Sequence, residues 1–341
     1  MCRTHAIVCL IMPLTWASGC SRKAGQGEMN AGPSASSASR KTAVAESSVL
    51  LPPNVLLPKK PGEVRFVAMG DTGKGNEGQR MVADAAHAFC MLHGCDFVLL
   101  LGDNIYESGV SGVDDPLWQS RFEQPYAAFS QPFYAVLGNH DYGHAGLGDV
   151  FERGAFQVAY SARSSKWRMP AAHYRLHVGA IEILGLDTNL LMWGRDDGQT
   201  EAMRSWTSAH SLPWRIVAGH HPYLSNGPHG NVGAYNGAPA SATTVNGASL
   251  KHFFDDEVCG RSDIYLSAHD HTREWLEPTC KGTELIVSGT GASPTRLKGS
   301  NPSRFSTAEL GFVYLMGTST ELRAQMVNAR GEVEYARTLK K

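Results

Sequence analysis

Oxygen-bearing and imidazole side chains concentrate in five short clusters along this 341-residue chain: Gly70-Asp71-Thr72-Gly73, Gly102-Asp103-Asn104-Ile105-Tyr106, Gly138-Asn139-His140-Asp141, Ala218-Gly219-His220-His221 and Ala268-His269-Asp270-His271. Together they offer Asp71, Asp103, Tyr106, Asn139, His140, His220, His269 and His271. Hard oxygen donors mixed with imidazoles suit transition-metal ions. A carboxylate can serve two such ions at once when they lie about 3.5–4 Å apart, the spacing of two-metal phosphatases. The clusters hold no serine or cysteine to act as a nucleophile, so the chemistry expected is hydrolysis by direct transfer to water. Any one of these tetrapeptides is a weak signal; five in succession are not.

The clusters share a position. Each follows an apolar run that reads as a strand: Val64–Met69, Asp96–Leu101, Pro132–Leu137, Trp214–Ala218 and Ile264–Ser267. In open α/β sheets, ligands bind beyond the carboxyl ends of the strands, where loops converge. The small residue before each polar one lets backbone pass close to the site and allows unusual φ/ψ. Further strands are expected at Ala172–Val178, Ile181–Leu186, Glu284–Ser288, Phe312–Met316, Leu322–Val327 and Val333–Ala336, with residues 296–341 adding edge strands. Helices are expected over Asn76–His93, with Met81, Ala85, Ala88 and Leu92 on one apolar face, and over Thr200–His210 and Leu250–Val258.

With these residues assembled, the chain resembles the calcineurin-like metallophosphoesterases, and within them the purple acid phosphatases of the small tartrate-resistant type. The resemblance runs from about residue 63 to 295, and residues 160–189 resemble the family's core hairpin. Most metallophosphoesterases carry a histidine two residues after the first aspartate; here that position is Gly73. Purple acid phosphatases make good the loss with a tyrosine three residues after the bridging aspartate; here that residue is Tyr106.

The resemblance implies an α/β fold, the metallophosphoesterase-type four-layer αββα sandwich of two mixed β-sheets flanked by helices. It implies a ferric ion (Fe3+) held by Asp71, Asp103, Tyr106 and His271. A divalent ion (Fe2+, Zn2+ or Mn2+) would take Asp103 as bridge, with Asn139, His220 and His269. His140 and His229 would be the catalytic histidines facing substrate. The implied activity is acid phosphatase, with metal-bound hydroxide attacking a phosphate monoester. A phosphodiesterase or nucleotidase on the same site is the alternative, and a phosphate- or metal-binding lipoprotein without turnover a more distant one. Asp141 and Asp270 are read as partners that orient imidazoles, His221 as a packing or solvated histidine and Asp187 as structural. Ala268 stands where glycine is usual, which is tolerable if its φ is negative.

Composition bounds the rest. Lys+Arg total 31 against Asp+Glu 32, a net charge of -1, so no excess of positive charge points to nucleic acid. With 42% hydrophobic and 18% charged residues, a large core is affordable. Residues 1–19 read as an export signal, because the apolar run from Ala6 to Leu14 is too short to span a membrane. Ala17, Ser18 and Gly19 before Cys20 resemble a bacterial lipoprotein signal, in which the cysteine is lipidated; Ala17 stands where leucine is typical, and an ordinary cleaved signal is the alternative. Residues 21–62, rich in Ser, Ala, Gly and Pro, read as a disordered linker, and 63–341 as one catalytic domain, monomeric and anchored through its N-terminal lipid. Of 7 cysteines, Cys90, Cys95, Cys259 and Cys280 lie beyond the leader; they allow three pairings, the simplest being Cys90–Cys95 with Cys259–Cys280.

Overall fold

The computed structural model describes residues 54–56, 62–208 and 212–341. The export signal, Cys20 and most of the linker lie outside the described residues. In chain order the strands are β1 (Asn54–Leu56), β2 (Val64–Met69), β3 (Phe97–Leu101), β4 (Phe133–Val136), β5 (Trp167–Arg168), β6 (Tyr174–Val178), β7 (Ile181–Gly185), β8 (Trp214–Ala218), β9 (Ile264–Ser267), β10 (Arg273–Leu276), β11 (Glu284–Ser288), β12 (Ser303–Thr307), β13 (Gly311–Gly317), β14 (Glu321–Asn328) and β15 (Val333–Lys340). The helices are α1 (Glu77–His93), α2 (Glu152–Tyr160), α3 (Thr188–Met192), α4 (Gln199–Thr207), α5 (Thr243–Asn246) and α6 (Ala248–Phe253), the last running on into a π-helical turn over Phe254–Val258.

The strands form two mixed sheets. One has seven strands in the order β15-β14-β13-β2-β3-β4-β5, with β2 to β5 parallel. The other has eight, in the order β1-β6-β7-β8-β9-β11-β10-β12, with β7, β8, β9 and β11 parallel. Strand β1 falls within the segment read as linker, and at these three residues the chain pairs in parallel with β6. Both faces of the parallel strands are covered, which is why they read as continuous apolar runs. Phe66, Leu99 and Leu101 of one sheet meet Ile183, Ile216 and Leu266 of the other in a shared central core. On the outer faces, Val67, Met69 and Leu100 pack under α1, and Leu184 and Val217 pack under α4 and α6. The result is the expected helix–sheet–sheet–helix sandwich.

Two expectations are corrected here. Helix α1 buries Val82, Ala83, Ala86, Phe89 and Cys90, whereas Met81 and Leu92 are exposed. Both stripes of this helix are apolar; the one carrying Phe89, which edges onto Phe312 and Tyr314, takes the sheet. Residues beyond 296 do not merely extend the edges: β13 is an inner strand, paired with β2 on one side and β14 on the other. The disulfides are Cys90–Cys95 and Cys259–Cys280, the simplest pairing.

Candidate metal centre

The five clusters leave the carboxyl ends of β2, β3, β4, β8 and β9, three strands from one sheet and two from the other. Asp71, Asp103 and His269 sit at φ 56, 53 and 67, in the left-handed region that L-residues rarely adopt. Such strain persists where surrounding contacts over-determine it. Here the contacts are mutual. The Asp71 Oδ2 accepts the His269 backbone N–H at 2.9 Å, and the Asp103 Oδ1 accepts that of His140 at 2.9 Å. The His269 turn is thus held by a side chain of the first cluster, and the Asp71 turn by its backbone N–H on the Gly102 carbonyl at 3.0 Å.

The donors fall into two groups that share one residue. Tyr106 Oη lies 2.9 Å from Asp71 Oδ1, 2.9 Å from Asp103 Oδ2 and 3.1 Å from His271 Nε2. His220 Nε2 lies 3.0 Å from Asn139 Oδ1, 3.1 Å from His269 Nδ1 and 3.4 Å from Asp103 Oδ1. One donor atom each from Asp71, Asp103 and His220 lies within 4.8 Å of the other two. The structure thus brings Asp71, Tyr106 and His271 together on one side of Asp103 and Asn139, His220 and His269 on the other, with one Asp103 oxygen facing each group.

The donor chemistry fits a pair of cations. The Nδ1 of His220 sits 2.9 Å from the Leu101 carbonyl, so it carries the proton and Nε2 presents a lone pair. The Asn139 amide donates Nδ2 to the Gly146 carbonyl at 2.7 Å, which turns Oδ1 toward the same point. Burial, then the neighbouring His229, His221 and His220, hold His269 well below the usual imidazole range, so it too is neutral. Lone pairs of His220 and Asn139 thus converge, and a positive ion is what relieves that convergence. In the other group, burial and then Asp103 and Asp71 push the Tyr106 phenol well above its usual range. Burial would raise Asp71 as well, but His271, His220 and the Tyr106 hydroxyl together outweigh it and lower the carboxyl. His271 is placed in turn by the Ser293 hydroxyl, 3.0 Å from its Nδ1.

His140 and His229 stand at the rim. The Nδ1 of His140 contacts the Glu107 carbonyl at 2.7 Å, so Nε2 is the atom turned toward the centre, 4.0 Å from Asp103 Oδ2. The His229 ring lies tilted by 33° against that of His269 with ring centres 4.1 Å apart, and its Nδ1 meets Asn236 Oδ1 at 2.7 Å.

Asp141 and Asp270 do not orient imidazoles. The Asp141 carboxylate accepts the backbone N–H groups of Asn104, Ile105 and Gly138, at 3.0, 3.0 and 2.9 Å, and so joins two clusters. Asp270 accepts the N–H of His229 at 2.9 Å and of Gly230 at 3.2 Å, pinning the loop that carries His229. In both, the short acid serves backbone rather than a ring. His221 is buried against Thr188, whose hydroxyl lies 2.9 Å from its Nδ1. Asp187 caps α3 through the Leu190 N–H, the structural role expected. Ala268 keeps a negative φ, and Gly70 leaves room for its methyl: a Cβ on residue 70 would come within 2.3 Å of it. Sequence reasoning missed Lys74, whose Nζ lies 4.6 Å from the Tyr106 ring centre, and Ser293; neither stands out by spacing.

Comparison with known proteins finds relatives in sequence and in fold. The profile of the Calcineurin-like phosphoesterase family matches residues 64–273. Tartrate-resistant acid phosphatase type 5 of Homo sapiens is 30% identical over 67% of this chain and 73% of its own. Purple acid phosphatase 3 of Arabidopsis thaliana is 27% identical over 80% of this chain and 74% of its own. Among solved structures, GAP50, titled the anchor in the inner membrane complex of Plasmodium, shares the fold with a TM-score of 0.62 at 23% identity, over 82% of this chain and 89% of that one.

Proposed function

This chain belongs to the calcineurin-like phosphoesterases, in their purple acid phosphatase group, and from that premise we propose that it is an exported acid phosphatase working through a paired Fe3+ and divalent ion. Its reaction class is phosphoric monoester hydrolysis. The observation that supports the paired centre is the shared carboxylate: Asp103 offers one oxygen to a set with Asp71, Tyr106 and His271 and the other to a set with Asn139, His220 and His269. A phenol in the first set favours the harder, more charged ion there.

When bound, such ions acidify water and neutralise phosphoryl charge. The chain's own residues do the rest. His140 donates a hydrogen bond from its Nδ1–H to the Glu107 carbonyl, which leaves Nε2 to serve the departing ester oxygen. His229, fixed through its backbone N–H by Asp270 and through Nδ1 by Asn236, presents its ring to the phosphoryl oxygens. For export, the leader before Cys20 and two disulfides, bonds that persist in oxidising compartments, favour a secreted or lipid-anchored chain. Among the described residues, no helix is long and apolar enough to cross a membrane.

The test is the iron-loaded full chain against p-nitrophenyl phosphate and bis-p-nitrophenyl phosphate across pH. The expected result is monoester turnover with an acid optimum, lost in Asp103→Asn. Diester preference, or no turnover of either ester, would overturn the reading.

A further inference from the structure

A cleft of about 240 Å³ opens directly beside Asn139, His229 and His269. Leu147, Met192, Trp193 and Val245 give it an apolar side, and Asn189, Tyr235, Asn236 and Thr244 add polar groups. No Asp, Glu, Lys or Arg lines it; its titratable groups are His221, His229 and His269. Two of these apolar side chains are open to solvent, Leu147 at 54% and Val245 at 47%. The other large apolar residues this exposed among those described lie elsewhere, on α1 and β15. Leu147 is held at the site by its neighbour, since the Gly146 carbonyl takes the Asn139 amide. The adjoining cavity of about 310 Å³ differs in kind: Arg195, Asp196, Arg204, Asp256 and Glu257 line it.

We propose that this cleft is the leaving-group subsite, and that it selects monoesters whose alcohol carries an uncharged aromatic or comparably apolar group next to the phosphate. The inference rests on the phosphatase reading above and deepens it. An ester phosphate held between the metal centre and His140 and His229 has its alcohol portion facing either bulk water or this cleft. Exposed leucine and valine in the wall gain from covering only by an apolar group, because hydrophobic gain scales with the apolar area removed from water. About 150 Å³ is enough to admit benzene, so one ring fits with space to spare. A charged alcohol portion, such as a second phosphate, would meet no lysine or arginine in the wall and would lose hydration against its apolar side.

Aryl phosphates are also intrinsically more reactive, so the test uses esters whose alcohols differ in size but not in leaving-group strength. The metal-loaded full chain is given 2-phenylethyl phosphate and ethyl phosphate. The phenylethyl ester should show kcat/KM at least tenfold higher. In Leu147→Ser/Val245→Ser that ratio should fall to about two or less, with ethyl phosphate turnover unchanged. Calorimetry supplies a readout independent of turnover: 2-phenylethylphosphonate should bind more tightly than ethylphosphonate to the wild type and no more tightly to the variant. Equal kcat/KM for the two esters, or a ratio that survives the double substitution, overturns the subsite while leaving the phosphatase reading intact. No hydrolysis of either ester by the wild type overturns both.

Discussion

Replacing Tyr106 by Phe separates a ligand from a merely well-packed tyrosine. The hydroxyl it removes touches Asp71 and Asp103 at 2.9 Å each, in a buried setting. Without metal, the phenol gives its one proton to a carboxylate. A hydrogen bond to a charged group is worth about 1.5–3 kcal/mol, so the metal-free variant should be about 2 kcal/mol less stable. For a domain of this size that lowers Tm by about 4 °C. If the phenolate is also a ligand, a second loss appears only when metal is present. A hundredfold drop in affinity removes about 2.7 kcal/mol of metal-dependent stabilisation, or about 5 °C more. Thermal melts of wild type and variant, each with and without ferric iron, give the two losses separately. The visible spectrum gives a third reading, because a tyrosinate–ferric band should vanish in the variant. A variant with the lower metal-free Tm but the full metal-induced rise, or one that keeps the band, would refute the placing of Tyr106 on the ferric ion.

The loop bearing His229 is braced from the far end of the chain. Asn301 Nδ2 donates to the Ser225 carbonyl at 2.8 Å and to Asn231 Oδ1 at 2.9 Å, so Asn301→Ala should lower kcat/KM about tenfold while metal content per chain stays constant; unchanged kinetics would show that the brace does not position His229. Burial raises the Asp187 carboxyl to about 7 from 3.8, so its contribution to stability is fully present below pH 4 and is lost as pH rises through 7, roughly 4 kcal/mol in all. Urea midpoints of the metal-free protein should therefore fall between about pH 4 and 8, and Asp187→Asn should flatten that slope.

What sequence could reveal followed from periodicity and punctuation. Val64–Met69, Trp214–Ala218 and Ile264–Ser267 are strands at the expected residues because each is a mostly apolar, almost wholly buried run that ends at a cluster. Strand β10 escaped for the opposite reason. It reads Arg-Glu-Trp-Leu, yet Arg273 and Glu274 are fully buried. Arg273 is paired with Glu334 at 2.6 Å, and Glu274 accepts from Ser225 and the Asn226 backbone at 3.1 and 3.0 Å. A buried charge is tolerable only when partnered, and these partners lie too far along the chain for local pattern to show them. Strand β12, with Phe305 its one large apolar residue, is an edge that no alternation marks. The roles of Asp141 and Asp270 were hidden in the same way, because backbone N–H groups leave no trace in side-chain identity.

The pairing of Gly73 with Tyr106 has a single steric cause, and this makes it more than two coincident substitutions. The turns after β2 and β3 lie against each other: Gly73 donates its N–H to the Asp103 carbonyl at 3.2 Å, and its own carbonyl accepts the Tyr106 N–H at 3.0 Å. A Cβ on residue 73 would stand 2.0 Å from the Asn104 carbonyl oxygen, a distance no side chain survives. A histidine at 73 therefore demands that the turns separate, and separation breaks the bond that holds the Tyr106 backbone. The contact that excludes the imidazole is the one that delivers the phenol to Asp71 and Asp103. Within this backbone the centre can take its donor from the first turn or from the second, not from both, and Gly73→His should cost the phenol contact rather than add a ligand.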